Sequence, residues 1–175
     1  MSLFTANALL WRETRAVLKG IALPLKDAIY LAYLDWLETQ TGKKNEKTIS
    51  WIKEVPELKE KRAPGNTCLS TLLSGKMGTL EEPINYSKGC GTVMRIAPIG
   101  LSIEDPLTAG KIAREASAIT HGHQLGMIPS DFKAIFINIL TNEDLPLEES
   151  LEKTLKLYAE NSSIYSEEFS DYFLQ

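Results

Sequence analysis

The sequence predicts an all-α protein of one domain, and three observations lead to this prediction. Apolar residues recur at three- and four-residue steps along most of the 175 residues, which is the spacing of one face of an amphipathic helix. Proline and glycine stand where helices begin and end. Alternation of apolar and polar residues between Asn-Gly or Asp-Gly turns is nearly absent, so the sequence predicts no β-hairpin.

The first two helices have clear start and stop signals. A helix over residues 3–18 is expected to end at Gly20, and a second helix to start after Pro24 and end before Gly42. The stripe of the second helix comprises Leu25, Ala28, Ile29, Ala32, Tyr33, Trp36 and Leu37. The lysine-rich residues 42–66 that follow are predicted to be a connection with a short helix over 55–61.

Four more helices are predicted in the second half. Asp105 as N-cap and Pro106 as first residue start a helix that continues to about residue 120 and ends near Gly122. Pro129-Ser130-Asp131 predicts the next start. The inward residues expected in the last three helices are Phe132, Ile135, Phe136 and Ile139, then Leu147, Leu151, Leu155 and Tyr158, and finally Tyr165, Phe169, Tyr172 and Phe173.

Composition and charge exclude several classes of protein. Hydrophobic residues make up 43% and charged residues 24%, which is typical of a globular domain. The net charge of −4 argues against nucleic acid as a partner, and no apolar run is long enough to span a membrane. Two cysteines and no signal-peptide pattern lead us to expect a cytoplasmic protein. Residues 141–175 carry nine acids and two lysines, which we interpret as a solvated helical face.

Residues 83–100 interrupt the helical pattern and hold the candidate binding residues. Gly89 and Gly91 flank Cys90, and Ser87 and Lys88 precede them. Glycine-rich backbone running into a helix can present N–H groups to an anion as a nest, because no Cβ blocks a phosphate. On composition alone, a tight turn before a buried helix explains the same residues.

Four motifs make the sequence similar to the ADP-ribosylglycohydrolase family. The central one is NYSKGCGTVMRIAPIG (residues 85–100), and the others are LFTANALL (3–10), RAPGNTCLSTL (62–72) and SAITHGHQLG (117–126), in the family's order. The family fold is an all-α bundle, and the resemblance implies a single-domain orthogonal helical bundle. Residues 1–140 match the family core, and 141–175 form an acidic helical C-terminal part without a motif that we can match.

The resemblance implies hydrolysis of the glycosidic bond between ADP-ribose and a protein or small acceptor. ADP-ribose or an ADP-ribosylated protein is then the partner. By resemblance, the phosphate and ribose contacts belong to Ser87, Lys88, Gly89, Cys90 and Gly91, with His121 near the ribose. Asn85 and Arg95 are expected to fix the loop by hydrogen bonds.

The resemblance also predicts what this chain lacks. Family enzymes use two Mg²⁺ ions held by acidic motifs, and neither the upstream nor the downstream acidic motif is found here. We therefore expect a bundle truncated relative to the family fold, with no retained metal and with weak or no hydrolysis by this chain alone. Apolar surfaces that other helices would cover should then cause self-association.

Other candidate residues have simpler explanations. Asp35 and Glu38 are expected on a solvated helix edge rather than as a carboxylate pair. His121 and His123 without a nearby carboxylate are too few ligands for a transition metal. Cys68 is expected to be a small core residue. A helical interaction or scaffold module without catalysis remains the alternative function, and binding of ADP-ribose distinguishes the two.

Overall fold

The computed structural model describes residues 1–161, and these residues form seven α-helices and no strand, which confirms the all-α prediction. The helices are α1 (Ser2–Lys19), α2 (Leu25–Thr41), α3 (Asn66–Leu73), α4 (Ala97–Ser102), α5 (Pro106–Ala118), α6 (Gln124–Asn142) and α7 (Leu147–Glu160). Three 3-10 turns accompany them at Trp51–Glu54, Pro56–Leu58 and Val93–Arg95. The predicted helix at Tyr165, Phe169, Tyr172 and Phe173 lies outside the described residues.

The predicted caps of α1, α2 and α5 are present. Gly20 and Gly42 end α1 and α2 with φ of 65° and 74°, the left-handed conformation that favours glycine. The Asp105 side chain accepts a hydrogen bond from the backbone N–H of Thr108 at 2.7 Å and so caps α5. In place of the short helix predicted over 55–61, two 3-10 turns lie between residues 51 and 58.

The predicted start of α6 is wrong. The helix begins at Gln124, where the His123 ring nitrogen Nδ1 accepts a hydrogen bond from Leu125 N–H, and Pro129 lies inside the helix. The helix continues through the proline because Met127 and Ile128 are already buried on its inner face, and their burial offsets the one backbone hydrogen bond that a proline cannot make.

Asp35 and Glu38 do not lie on a solvated edge of α2, contrary to the expectation from the sequence. Asp35 is fully buried, and its carboxylate accepts hydrogen bonds from Asn45 Nδ2 at 2.7 Å and from the backbone N–H groups of Ile49 and Ser50 at 2.9 and 2.7 Å. Glu38 accepts from Asn45 N–H at 3.0 Å and pairs with Lys53. The two carboxylates therefore attach the lysine-rich connection to α2.

The core has two parts. The larger part packs α1 to α5 around residues such as Phe4, Ile29 and Ile96, and the smaller part lies between α6 and α7. Helices α5 and α6 approach closely at Gly110, where an added Cβ would lie 2.3 Å from Asp131 Oδ1. Asp131 is buried and pairs with Arg114 at 3.0 Å.

Helix α7 confirms its predicted position, and of its four predicted inward residues only Tyr158 is buried. Leu147, Leu151 and Leu155 are exposed, and the buried residues are Ser150, Thr154 and Tyr158. Within residues 1–161, no helix is both long enough and apolar enough to cross a membrane.

Candidate functional site

The segment from Asn85 to Gly91, here called the binding loop, is attached to the junction between α5 and α6 by Asn85. The Asn85 carboxamide oxygen accepts hydrogen bonds from Ser87 N–H at 2.9 Å and from Gly122 N–H at 3.1 Å. Its amide nitrogen donates to the Thr120 carbonyl oxygen at 2.9 Å. One half-buried amide thereby fixes the loop to the backbone that carries His121.

Two glycines let the binding loop lie against this junction. A Cβ at Gly122 would be 2.0 Å from the Asn85 carbonyl oxygen, and a Cβ at Gly126 would be 2.7 Å from that of Ser87. No side chain fits at such distances from backbone atoms, so both positions require glycine.

His121 lies beneath the binding loop and is 1% exposed. A Cβ at Gly89 would be 3.2 Å from His121 Nε2, and one at Gly91 would be 3.6 Å away. The other ring nitrogen, Nδ1, is 2.8 Å from Thr120 Oγ1. Burial, followed by the nearby charge of Arg95, lowers the pKa of His121 from 6.5 to about 4, so the imidazole is neutral at pH 7.

The structure brings four of the six predicted residues together: Ser87, Gly89, Gly91 and His121. Ser87 Oγ is 3.2 Å from Thr67 Oγ1 and accepts from Gly89 N–H at 3.3 Å. The other two, Lys88 and Cys90, are exposed, and no hydrogen bond of either side chain is present among residues 1–161.

The binding loop differs from the nest that its composition suggests. Neither Gly89 nor Gly91 has a positive φ, whereas a nest alternates right- and left-handed residues. Gly89 instead serves close approach, because a Cβ there would lie only 3.2 Å from His121 Nε2, whereas a Cβ at Gly91 would make an ordinary van der Waals contact with the imidazole.

A cavity of about 450 Å³ reaches the binding loop at Gly91. The N-terminal residues of α1, Trp36, Cys68 and Arg95 line it, and the acids on its lining, Glu57 and Glu60, are exposed. Ser87, Lys88, Gly89, Cys90 and His121 are not lining residues of this cavity. The cavity is thus a neighbour of the loop site and shares only Gly91 with it.

Arg95 is buried between the cavity and His121. Its guanidinium donates to Thr120 Oγ1 at 2.8 Å, to the Ala116 carbonyl oxygen at 3.1 Å and to Cys68 Sγ at 3.4 Å. It also stacks on the Tyr33 ring at 4.5 Å. Cys68 is buried, as expected of a core residue.

Thr120 is the residue of this site that the sequence does not point to. It carries no distinctive chemistry, and its only signal is its position next to His121. Its importance comes from Arg95, which lies 25 residues earlier in the chain and meets it only in the fold.

The described residues do not fit a magnesium site. Among residues 1–161, no group of three or more His, Cys, Asp or Glu side chains is close enough to hold a metal ion. Mg²⁺ prefers several oxygen ligands in octahedral geometry, and the exposed pair Glu57 and Glu60 does not supply them.

Comparison with protein families gives one match. The family model described as ADP-ribosylglycohydrolase matches residues 1–174, which includes the acidic part in which we find no motif. Comparisons with curated proteins and with solved structures give no match.

Proposed function

The chain belongs to the ADP-ribosylglycohydrolase family, and from this premise we propose that it binds ADP-ribose, free or attached to a protein, at the binding loop and His121. The observation that carries the proposal is the position of His121 Nε2 beneath Gly89 and Gly91. Among residues 1–161, Nε2 has no hydrogen-bond partner, so a ligand contact at this nitrogen would replace no hydrogen bond of the protein.

The loop offers ligand contacts of the kind that a diphosphate and a ribose require. A phosphate accepts hydrogen bonds from backbone N–H groups, hydroxyls and cations, and Ser87 and the exposed Lys88 supply two of these. A ribose hydroxyl can accept from or donate to a neutral imidazole. Each neutral hydrogen bond contributes only about 1 kcal/mol, so we expect micromolar-to-millimolar affinity at best.

We propose that hydrolysis by these 175 residues alone is weak or absent. Cleavage of a glycosidic bond proceeds through an oxocarbenium-like transition state that needs a positioned water and nearby carboxylates or metals. The imidazole of His121 and the loop can hold the ligand, but the two acids on the lining of the neighbouring cavity, Glu57 and Glu60, are exposed.

Calorimetric titration with ADP-ribose tests the binding proposal. Saturable binding supports it, and no binding at millimolar ADP-ribose would favour the scaffold alternative. Release of ADP-ribose from a modified protein with Mg²⁺ present tests the second proposal, and we expect none. Rapid release would show that acids elsewhere act, and Asp27, Asp35, Asp131 and Asp144 would be the first to mutate.

We also propose that the chain self-associates through α1. Leu3, Leu10 and Val17 repeat every seven residues along one line of the helix, and all three are exposed, as are Leu18 and Trp51 beside them. Exposed apolar side chains grouped on one face of a helix favour association with a second surface. The occupant that we propose is α1 of a second copy, because a two-fold axis pairs the same stripe with itself.

Sedimentation velocity tests this surface. The double variant Leu10→Glu with Val17→Glu should sediment as a monomer, whereas the wild type should form a dimer or larger assembly. The matched control is Leu147→Glu with Leu151→Glu, which charges the exposed leucines of α7 and should leave the assembly intact. A monomeric wild type at high concentration, or dissociation only in the α7 variant, would contradict the assignment to α1.

A further inference from the structure

The hydrogen bonds around Thr120 determine which nitrogen of His121 carries the proton. Thr120 is fully buried, and its hydroxyl oxygen has two polar neighbours in the structure, an Arg95 guanidinium nitrogen and His121 Nδ1, each at 2.8 Å. A guanidinium has no acceptor, so Arg95 donates and the threonine oxygen accepts.

The hydroxyl proton of Thr120 then has one available acceptor. If His121 carried its proton on Nδ1, both neighbours of the hydroxyl would be donors, and the buried hydroxyl proton would have no partner. A buried donor without a partner is costly, whereas Thr120 O–H donating to an unprotonated Nδ1 satisfies both atoms of this contact and leaves Nε2–H as the donor for a ligand at the loop. The single proton of the neutral imidazole must then be on Nε2.

We propose that Arg95 and Thr120 are positioning residues that hold His121 in the Nε2–H tautomer, so that the imidazole presents a hydrogen-bond donor between Gly89 and Gly91. The ligand atom at this point is therefore an acceptor, a phosphate oxygen or a ribose oxygen lone pair. The statement about the ligand rests on the proposed function, whereas the tautomer is a property of the free protein.

In this arrangement Arg95 acts on His121 through the Thr120 hydroxyl, to which its guanidinium donates a hydrogen bond. Its guanidinium and the His121 ring both contact the Thr120 hydroxyl, and the charge is buried with carbonyl, hydroxyl, sulfur and aromatic neighbours. A neutral donor at Nε2 is consistent with this neighbour, because a second positive charge on the imidazole would face the guanidinium across one hydroxyl.

Long-range ¹H–¹⁵N correlation spectra of the ¹⁵N-histidine-labelled full chain at pH 7 test the tautomer without any ligand. His123→Asn identifies the signals of His121, because the chain has two histidines. We expect protonated Nε2 and unprotonated Nδ1, with the Nε2–H form in at least about tenfold excess. A protonated Nδ1 in the wild type would overturn the proposal, whatever the variants do.

Variants at Thr120 test the cause. Thr120→Val keeps the shape but removes the hydroxyl, and we expect a mixture of tautomers, while Thr120→Ser should restore the Nε2–H form. The matched control is Thr154→Val. This variant removes the hydroxyl of a different fully buried threonine, which lies in α7, and it should leave the tautomer of His121 unchanged. An unchanged tautomer in folded Thr120→Val, or a mixture in Thr120→Ser, would contradict the assignment to Thr120.

ADP-ribose titration of the same variants separates the two proposals. If the wild type binds, Thr120→Val should bind several-fold more weakly and Thr120→Ser nearly as well. If the wild type does not bind while its spectrum shows the Nε2–H form, the proposed function fails and the positioning role stands.

Discussion

At the scale of single residues, the candidate site depends on atoms that lie close together in the fold but far apart in the sequence. Gly89 is recognisable from the sequence as a candidate position of close approach, but the ring that it approaches belongs to His121, 32 residues later. Arg95 was expected to fix the loop, and its hydrogen bonds instead reach Thr120 and Ala116 in the α5–α6 region. Candidate site residues can thus be identified from the sequence, whereas the residues that they contact are determined by tertiary packing.

Gly89→Val should remove ADP-ribose binding. The first carbon of the new side chain would lie 3.2 Å from His121 Nε2, and its methyl groups would fill the space that we assign to the ligand. We expect at least about a tenfold loss of affinity by calorimetry, with an unchanged far-ultraviolet circular dichroism spectrum. Ser87→Ala removes one hydroxyl and should cost less, about 1 kcal/mol. Equal affinity for wild type and Gly89→Val would contradict the location of the site.

The depressed pKa of His121 makes a pH-dependent contribution to stability. Folding favours the neutral ring, so this contribution is complete above pH 6.5 and is lost as the pH falls from 6.5 towards 4. The loss should reach about 3 kcal/mol near pH 4. It is measured as the difference in unfolding free energy between the wild type and His121→Asn at pH 7 and pH 4. A difference that does not change with pH would show that His121 is readily protonated in the folded protein.

At the scale of elements, helix ends that depend on local capping residues could be predicted from the sequence, whereas features that depend on tertiary burial could not. The C-terminal ends of α1 and α2 and the start of α5 were predicted because glycine and aspartate caps act on backbone groups within one turn, whereas α5 ends at Ala118, before the expected stop near Gly122. The start of α6 was missed because burial of Met127 and Ile128 decides it, and burial is not local. Asp35 was placed in solvent for the same reason, since its partners are 10 to 15 residues downstream.

Asp35→Asn should destabilise the attachment of residues 45–50 to α2. An amide keeps the shape but replaces a charged acceptor with a group that has one oxygen, and the backbone N–H groups of Ile49 and Ser50 both need Oδ2. We expect the unfolding free energy to fall by about 2 kcal/mol in urea denaturation. Glu46→Gln, an exposed change in the same connection, is the control and should have an effect below about 0.5 kcal/mol. An equal effect of both variants would mean that Asp35 does not anchor the connection.

At the scale of the whole molecule, an all-α bundle carries the proposed ligand site on a loop. The binding loop is carried by the junction of α5 and α6, which pack closely because Gly110 has no side chain at their contact. The family match extends over residues 1–174, so the chain is related to the family along its whole length, beyond the four motifs that suggested it. Far-ultraviolet circular dichroism should accordingly show a spectrum dominated by helix, and a sheet-rich spectrum would contradict the fold.

The central claim is that the binding loop and His121 form the site for ADP-ribose, and a ¹H–¹⁵N correlation spectrum of the full chain titrated with ADP-ribose tests it most directly. We predict concentration-dependent shifts of the backbone amides of Ser87 to Gly91 and of the His121 side chain. Shifts confined to residues lining the neighbouring cavity away from the loop, such as Trp36 and Arg62, or no shifts at millimolar ligand, would contradict the claim.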